Sequence, residues 1–227
     1  MKLETPLLPK QIEAAGKLRQ HLEGWQLSDK ALIALNRKLP GFESHVCLLK
    51  CVAINAIYGT NVLAIVKMRK HVEDVLGKCD LSKVGPELVN EIAKAPEDED
   101  GKSRRRTSFA SKFCHFFISA ERFPIYDDAA CNALKLHFGK RVKAHEYGSF
   151  CECIKKLKDS IGTGCSTRTI DHYLWLTGMY LRWIKEQHKP NPIINLELLA
   201  LFKNPTGEQI AELDVLLPNN VRRTFKI

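Results

Sequence analysis

RRRTSFASKFCHFFISAERFPIYDDAACNALKLHF, residues 104–138, is the stretch on which the reading of the chain turns. Its aromatic and apolar spacing predicts a compact, largely buried helix over 109–118. Phe123-Pro124-Ile125-Tyr126 then reads as an extended connector, because proline donates no hydrogen bond and restrains its predecessor. Asp127 and Asp128 stand where the next helix should open, running to about Phe138.

Working outward, helical periodicity persists almost throughout. Short helices are expected at Gln11–Leu22 and at Ser28–Leu35, the second with Ser28 as N-cap, before a break at Pro40-Gly41. The run Val46, Leu48, Leu49, Val52, Ala53, Ile54, Ala56, Ile57 reads as a helix buried on most faces. Tyr58-Gly59-Thr60-Asn61 interrupts it with turn chemistry, and the pattern resumes from Val62 to Leu76. Leu81–Ala95 can form another helix, and residues 96–106 form a surface loop in which acidic residues give way to basic ones. Downstream, helices are expected at about 144–160, at 167–187, and as a short pair within 195–217. Sustained strand-type alternation is absent, and so are repeats and low-complexity tracts. The fold class is therefore all-α. Pro190 and Pro192 suggest a division into a helical domain over 1–190 and a C-terminal helical extension over 191–227.

Composition bounds the function. The chain has 227 residues, enough to bury a substantial core. It carries 35 Lys plus Arg against 26 Asp plus Glu, a formal charge of +9. Such an excess favours polyanionic partners, nucleic acid first. No apolar run approaches the roughly 18 residues of a membrane span, and the N-terminus lacks a secretory pattern, so a cytoplasmic protein is expected. The eight cysteines form no CxxC pair and no zinc-type spacing with histidine. They read as buried, reduced thiols, with no metal and no cofactor.

The 104–138 segment resembles the core of the helix-hairpin-helix DNA glycosylase superfamily, and most closely its 8-oxoguanine-glycosylase-fold branch. In that superfamily a glycine hairpin ends in a nucleophilic lysine. A core helix, a proline-bearing connector and a helix-opening aspartate follow. Here Arg106-Thr107-Ser108-Phe109-Ala110-Ser111-Lys112 occupies the hairpin, and Phe123-Pro124-Ile125-Tyr126-Asp127 the connector. The resemblance spans roughly residues 45–185 and implies Lys112 and Asp127 as the catalytic pair, 15 residues apart. Ser108 and Ala110 replace both hairpin glycines and Thr107 replaces the proline, so the hairpin is degenerate. The resemblance also places a DNA cleft between two helical lobes. Asn55–Asn61 resembles the turn that helps fill the gap left by an extruded base. Ile170-Asp171-His172-Tyr173-Leu174-Trp175-Leu176 resembles the late helix that walls the base pocket. The superfamily includes repair enzymes and bacterial or phage-defence proteins that strip modified bases.

These residue types suit the chemistry. Breaking an N-glycosidic bond builds positive charge on the sugar, which a carboxylate such as Asp127 stabilises in a low-dielectric site. A lysine goes further by attacking C1′ as a neutral amine, a form favoured by burial among Phe109, Phe113 and Phe116. The target base must first leave the duplex for a pocket, for which Tyr58, Phe109, Tyr126, Asp128, His172 and Trp175 are the candidates. Asn61, Lys102, Arg104, Arg105, Arg106, Ser108 and Ser111 are the candidate DNA contacts, positioning the backbone rather than reading sequence. A monomer acting on double-stranded DNA is expected.

Plainer readings stand beside these. Lys112 can snorkel from an apolar helix, and Asp127 and Asp128 can be an ordinary N-cap pair. Arg104–Arg106 can be a solvated charge run, Trp175 core, and Tyr58 a turn aromatic. The competing function is a catalytically inactive helical module that binds DNA.

Overall fold

The computed structural model describes residues 1–94, 105–143, 146–162, 164–189 and 194–217. Among them are eleven helices and no strand; the one β feature is an isolated bridge between Lys94 and Arg105. No helix among these residues is long and apolar enough to cross a membrane. The Cα framework divides into two compact units. One comprises Leu27–Tyr126 with Lys143–Cys151, and the other Met1–Gln26, Asp127–Val142 and the chain from Glu152 on.

In the first unit, α3 (Ser44–Tyr58) packs on α4 (Ile65–Leu76) and α6 (Thr107–Phe117), while α5 (Glu87–Ala93) packs on α4 and α6. Most of α2 (Glu23–Lys38) and the start of α8 (Tyr147–Ile161) also belong here. Helix α3 is buried where it meets α4 and α6, but not on most faces as expected: Leu49 and Val52 from its apolar run are 48% and 43% exposed. Val46, Cys47, Cys51 and Ile54 are buried, and so is Lys50, at 0% exposure. The Lys50 ammonium donates to Asn36 Oδ1 (2.8 Å) and to the Gly41 carbonyl (2.9 Å), between the rings of Phe42 and Phe117 at 4.5 and 5.2 Å. Burial pushes its pKa down.

In the second unit, α1 (Pro9–Arg19), α7 (Asp128–Phe138), α9 (Thr167–Glu186), α10 (Leu196–Lys203) and α11 (Gly207–Leu216) assemble around α9. Helix α7 crosses α9 so closely that a Cβ on Gly178 would overlap the Ala129 backbone. A buried polar network sits beside this crossing. His137 donates Nδ1–H to the Thr5 carbonyl (2.7 Å), and Tyr173 donates its hydroxyl to His137 Nε2 (3.0 Å). Gln11 links Tyr173 to the Leu216 carbonyl, tying both ends of the described chain to α7 and α9.

Several boundaries move from their expected places. Helix α2 starts at Glu23, so Ser28 lies inside it rather than capping it. The helix expected from Leu81 starts only at Glu87, because Gly85-Pro86 breaks the pattern. Beyond 190, α10 packs on α9 and α11 on α1, inside the second unit. The largest change is at the hairpin. Thr107–Lys112 is the beginning of α6, and the left-handed residues lie elsewhere, at Gly41, Gly59, Asn61, Gly139, Gly162 and Gly164. Without glycine, Thr-Ser-Phe-Ala-Ser-Lys has no residue suited to positive φ and continues as helix. Of the cysteines, Cys47, Cys51, Cys114, Cys131 and Cys153 are buried and the other three partly so, all as free thiols. Burial pushes the Cys114 thiol upward, out of the reactive range.

Candidate functional site

Helix α6 is apolar on most sides, yet Ser108, Ser111, Lys112 and His115 recur at three- and four-residue steps and form a polar stripe down it. Lys112 is 3% exposed. Its Nζ donates to Ser108 Oγ at 2.8 Å and lies over the Tyr58 ring, 5.4 Å from the centroid. Phe109 and Phe113 stack along the same helix at 6.1 Å, and Phe116 meets Tyr58 at 5.7 Å. The stem and amine thus sit in an aromatic and hydroxyl surround, where a snorkelling lysine would have reached water.

Tyr58 ends α3, with Gly59 in the left-handed C-cap position (φ 55°). Its hydroxyl donates to Asp29 Oδ1 at 3.0 Å, so the ring is held against Phe116 and beside Lys112. That placement puts the ring beside the Lys112 amine. The following loop is braced by Asn55. Its Oδ1 accepts from Thr60 Oγ1 and the Val62 N–H, both at 2.9 Å, and its Nδ2 donates to the Val62 carbonyl. Asn61 is exposed on this loop with φ 55°, followed by Leu63 at 85% exposure. Leu63 carries no pattern signal, since one apolar residue in an apolar run predicts burial.

Other expected site residues separate into two groups. Phe109 and Tyr126 are buried, Phe109 on Phe113 and Tyr126 edge-on to Phe150 at 5.2 Å, so both are core residues here rather than open pocket walls. Ser111 is fully buried, and its hydroxyl is engaged with the Tyr126 backbone. It braces the interior and makes no DNA contact from this position. Arg105 is exposed and donates to Asn90 (3.0 Å), and the half-buried Arg106 bonds the Ala93 carbonyl through its N–H. Lys102 and Arg104 lie outside the described residues.

In the second unit, Asp127 is the N-cap of α7, accepting from the Ala130 N–H at 2.8 Å. The residue is half-buried there. Asp128 is exposed and paired with Arg141. His172 and Trp175 are half-buried on α9, with Trp175 against Trp25 at 4.4 Å. Asp171, the neighbour of His172, is buried and was assigned no role from the sequence. A carboxylate among the apolar residues of α9 was the available signal. The structure therefore groups Lys112, Ser108 and Tyr58 in one unit, and Asp127, Asp128, His172 and Trp175 in the other.

A family model described as the HI_0787 N-terminal domain matches residues 10–122, just under half of the chain. The match takes in α6 with Lys112 and stops immediately before the connector. No curated protein and no solved structure matches the chain.

Proposed function

We propose that the chain is a DNA N-glycosylase of the helix-hairpin-helix type, excising a modified or damaged base from double-stranded DNA. The observation that carries the reading is the buried amine of Lys112, held by a hydroxyl and facing an aromatic ring. Removing an ammonium group from water is costly. A surface lysine would avoid that cost by extending outward, and Lys112 does not. Lysine offered in an aromatic surround is the chemistry that attack on a sugar C1′ requires.

In the proposed reaction the base leaves with the electrons of its C1′–N bond, and the Lys112 nitrogen bonds C1′. Asp127 stabilises the cationic sugar in the transition state. Loss of the amine proton and ring opening then give a Schiff base, from which strand cleavage proceeds. Tyr58, in the same unit as Lys112, supplies a stacking surface for an extruded base. The formal charge of +9 supplies the attraction to phosphate. Repair and defence against foreign DNA are both settings for this chemistry.

The test is a panel of duplexes with single lesions or hypermodified cytosines, incubated with and without alkali and with borohydride. Wild-type protein should release one class of base and form a trapped adduct. Lys112→Gln should abolish the adduct, and Asp127→Asn should slow release. If neither substitution changes the release of an excised base, the pair is misassigned.

A further inference from the structure

A buried segment outside helices and sheets must satisfy its backbone polar groups through other partners. Phe123–Tyr126 is such a segment: Phe123, Pro124 and Tyr126 are buried, and the stretch has no regular structure. Three side chains take the place of a ladder. His115, 2% exposed, donates Nδ1–H to the Phe123 carbonyl at 3.0 Å; a carbonyl only accepts, which assigns the proton to Nδ1. Tyr147, fully buried at the start of α8, donates its hydroxyl to the Pro124 carbonyl at 2.7 Å. Ser111 Oγ accepts from the Tyr126 N–H at 3.0 Å and lies 3.3 Å from the Tyr126 carbonyl. Ser111 and His115 are four residues apart on one face of α6, so the connector runs back along the polar stripe.

We propose that Ser111, His115 and Tyr147 are positioning residues: a clamp that fixes the backbone from Phe123 to Tyr126, and so fixes the point at which the chain enters Asp127. The inference rests on the catalytic role proposed for Asp127. A serine and a histidine buried on α6 would cost stability unless their polar atoms found partners. The partners they find are the carbonyls and N–H of this proline-bearing connector. The rings reinforce the hold, since Phe150 stacks on Tyr147 at 6.0 Å and makes a T-shaped contact with Tyr126. None of the three clamp side chains is a phosphate contact. Loosening them therefore changes the rate of base excision and leaves the attraction for DNA in place.

The experiment compares Tyr147→Phe and Ser111→Ala, each removing one hydroxyl, with His115→Asn, which keeps an N–H donor near the Nδ1 position. Amide hydrogen exchange is followed in peptides covering 119–128 and in peptides from α3 and α4. Single-turnover base release and DNA affinity are measured alongside. In the two hydroxyl variants the connector should exchange about 3- to 10-fold faster, the equivalent of one net hydrogen bond. Base release should fall by about 10- to 100-fold, as expected for a catalytic group displaced by an ångström or less. Affinity for DNA should hold, and His115→Asn should stay near wild type in both readouts. Unchanged connector exchange in both hydroxyl variants overturns the clamp, as does faster exchange with undiminished base release. Exchange that rises equally in α3 and α4 marks a general packing role and overturns it too. Wild-type protein that releases no base while the exchange contrast holds sinks the Lys112–Asp127 reaction and leaves the clamp standing.

Discussion

Two glycine-to-alanine substitutions in helices of one unit should move stability in opposite directions. Gly178 lies inside α9, where an added Cβ would overlap the Ala129 carbonyl and its carbonyl carbon. The obstacle is backbone, which cannot rotate away as a side-chain tip would, so α7 and α9 must separate. Forcing a methyl into a packed interior costs about 1–3 kcal/mol, more where backbone must shift. Gly16 lies inside α1 with φ outside the left-handed region and nothing within 4 Å of a built Cβ. There alanine gains only helix propensity, about 1 kcal/mol. For a chain of this size each kcal/mol moves Tm by roughly 2–4 °C. Urea and thermal unfolding should place Gly178→Ala at least about 2 °C below wild type and Gly16→Ala about 2–4 °C above it. Because Ala129 is two residues from Asp127, Gly178→Ala should also slow base release well below its unfolding temperature. A neutral or stabilising Gly178→Ala would refute the α7–α9 crossing as described.

Two further expectations concern buried ionisable groups. Burial pushes the His137 pKa below its ordinary 6.5. The unfolded chain then binds the extra proton first, so this contribution is complete above pH 6.5 and is lost as the pH falls below it. The difference in unfolding free energy between wild type and His137→Gln should therefore shrink on acidification and stay level above neutrality, as read from urea titrations at several pH values. At Lys50, alanine should destabilise by about 3–5 kcal/mol, since it leaves a cavity between Phe42 and Phe117 and two acceptors unpaired. Methionine refills the space but still strands the Gly41 and Asn36 oxygens, so its cost in the same unfolding assay should be about 1–3 kcal/mol.

The elements of the site divide by how local their cause is. Asp127 was legible as a helix start because capping involves only a residue and the next turn, and it accepts from Ala130 as capping requires. The polar stripe of α6 was visible in part, with Lys112 singled out and His115 passed over, because a periodic pattern says which residues share a face and not what covers that face. The hairpin was misplaced for a related reason. A likeness in order and spacing cannot supply positive φ where the residues are Ser108 and Ala110, and the backbone there continued into α6.

Sequence by itself determined the all-α class, nearly every helix, the turn at Gly59 and the helix opening at Asp127, because hydrophobic period and capping chemistry act over a few residues. Tertiary structure alone decided that Lys50, Lys112 and Asp171 are buried, that Ser111 and His115 hold a connector, and that α11 returns to α1. Those outcomes depend on which distant surface comes to lie against each helix, and burial of a polar group is tolerated only where that surface brings it a partner.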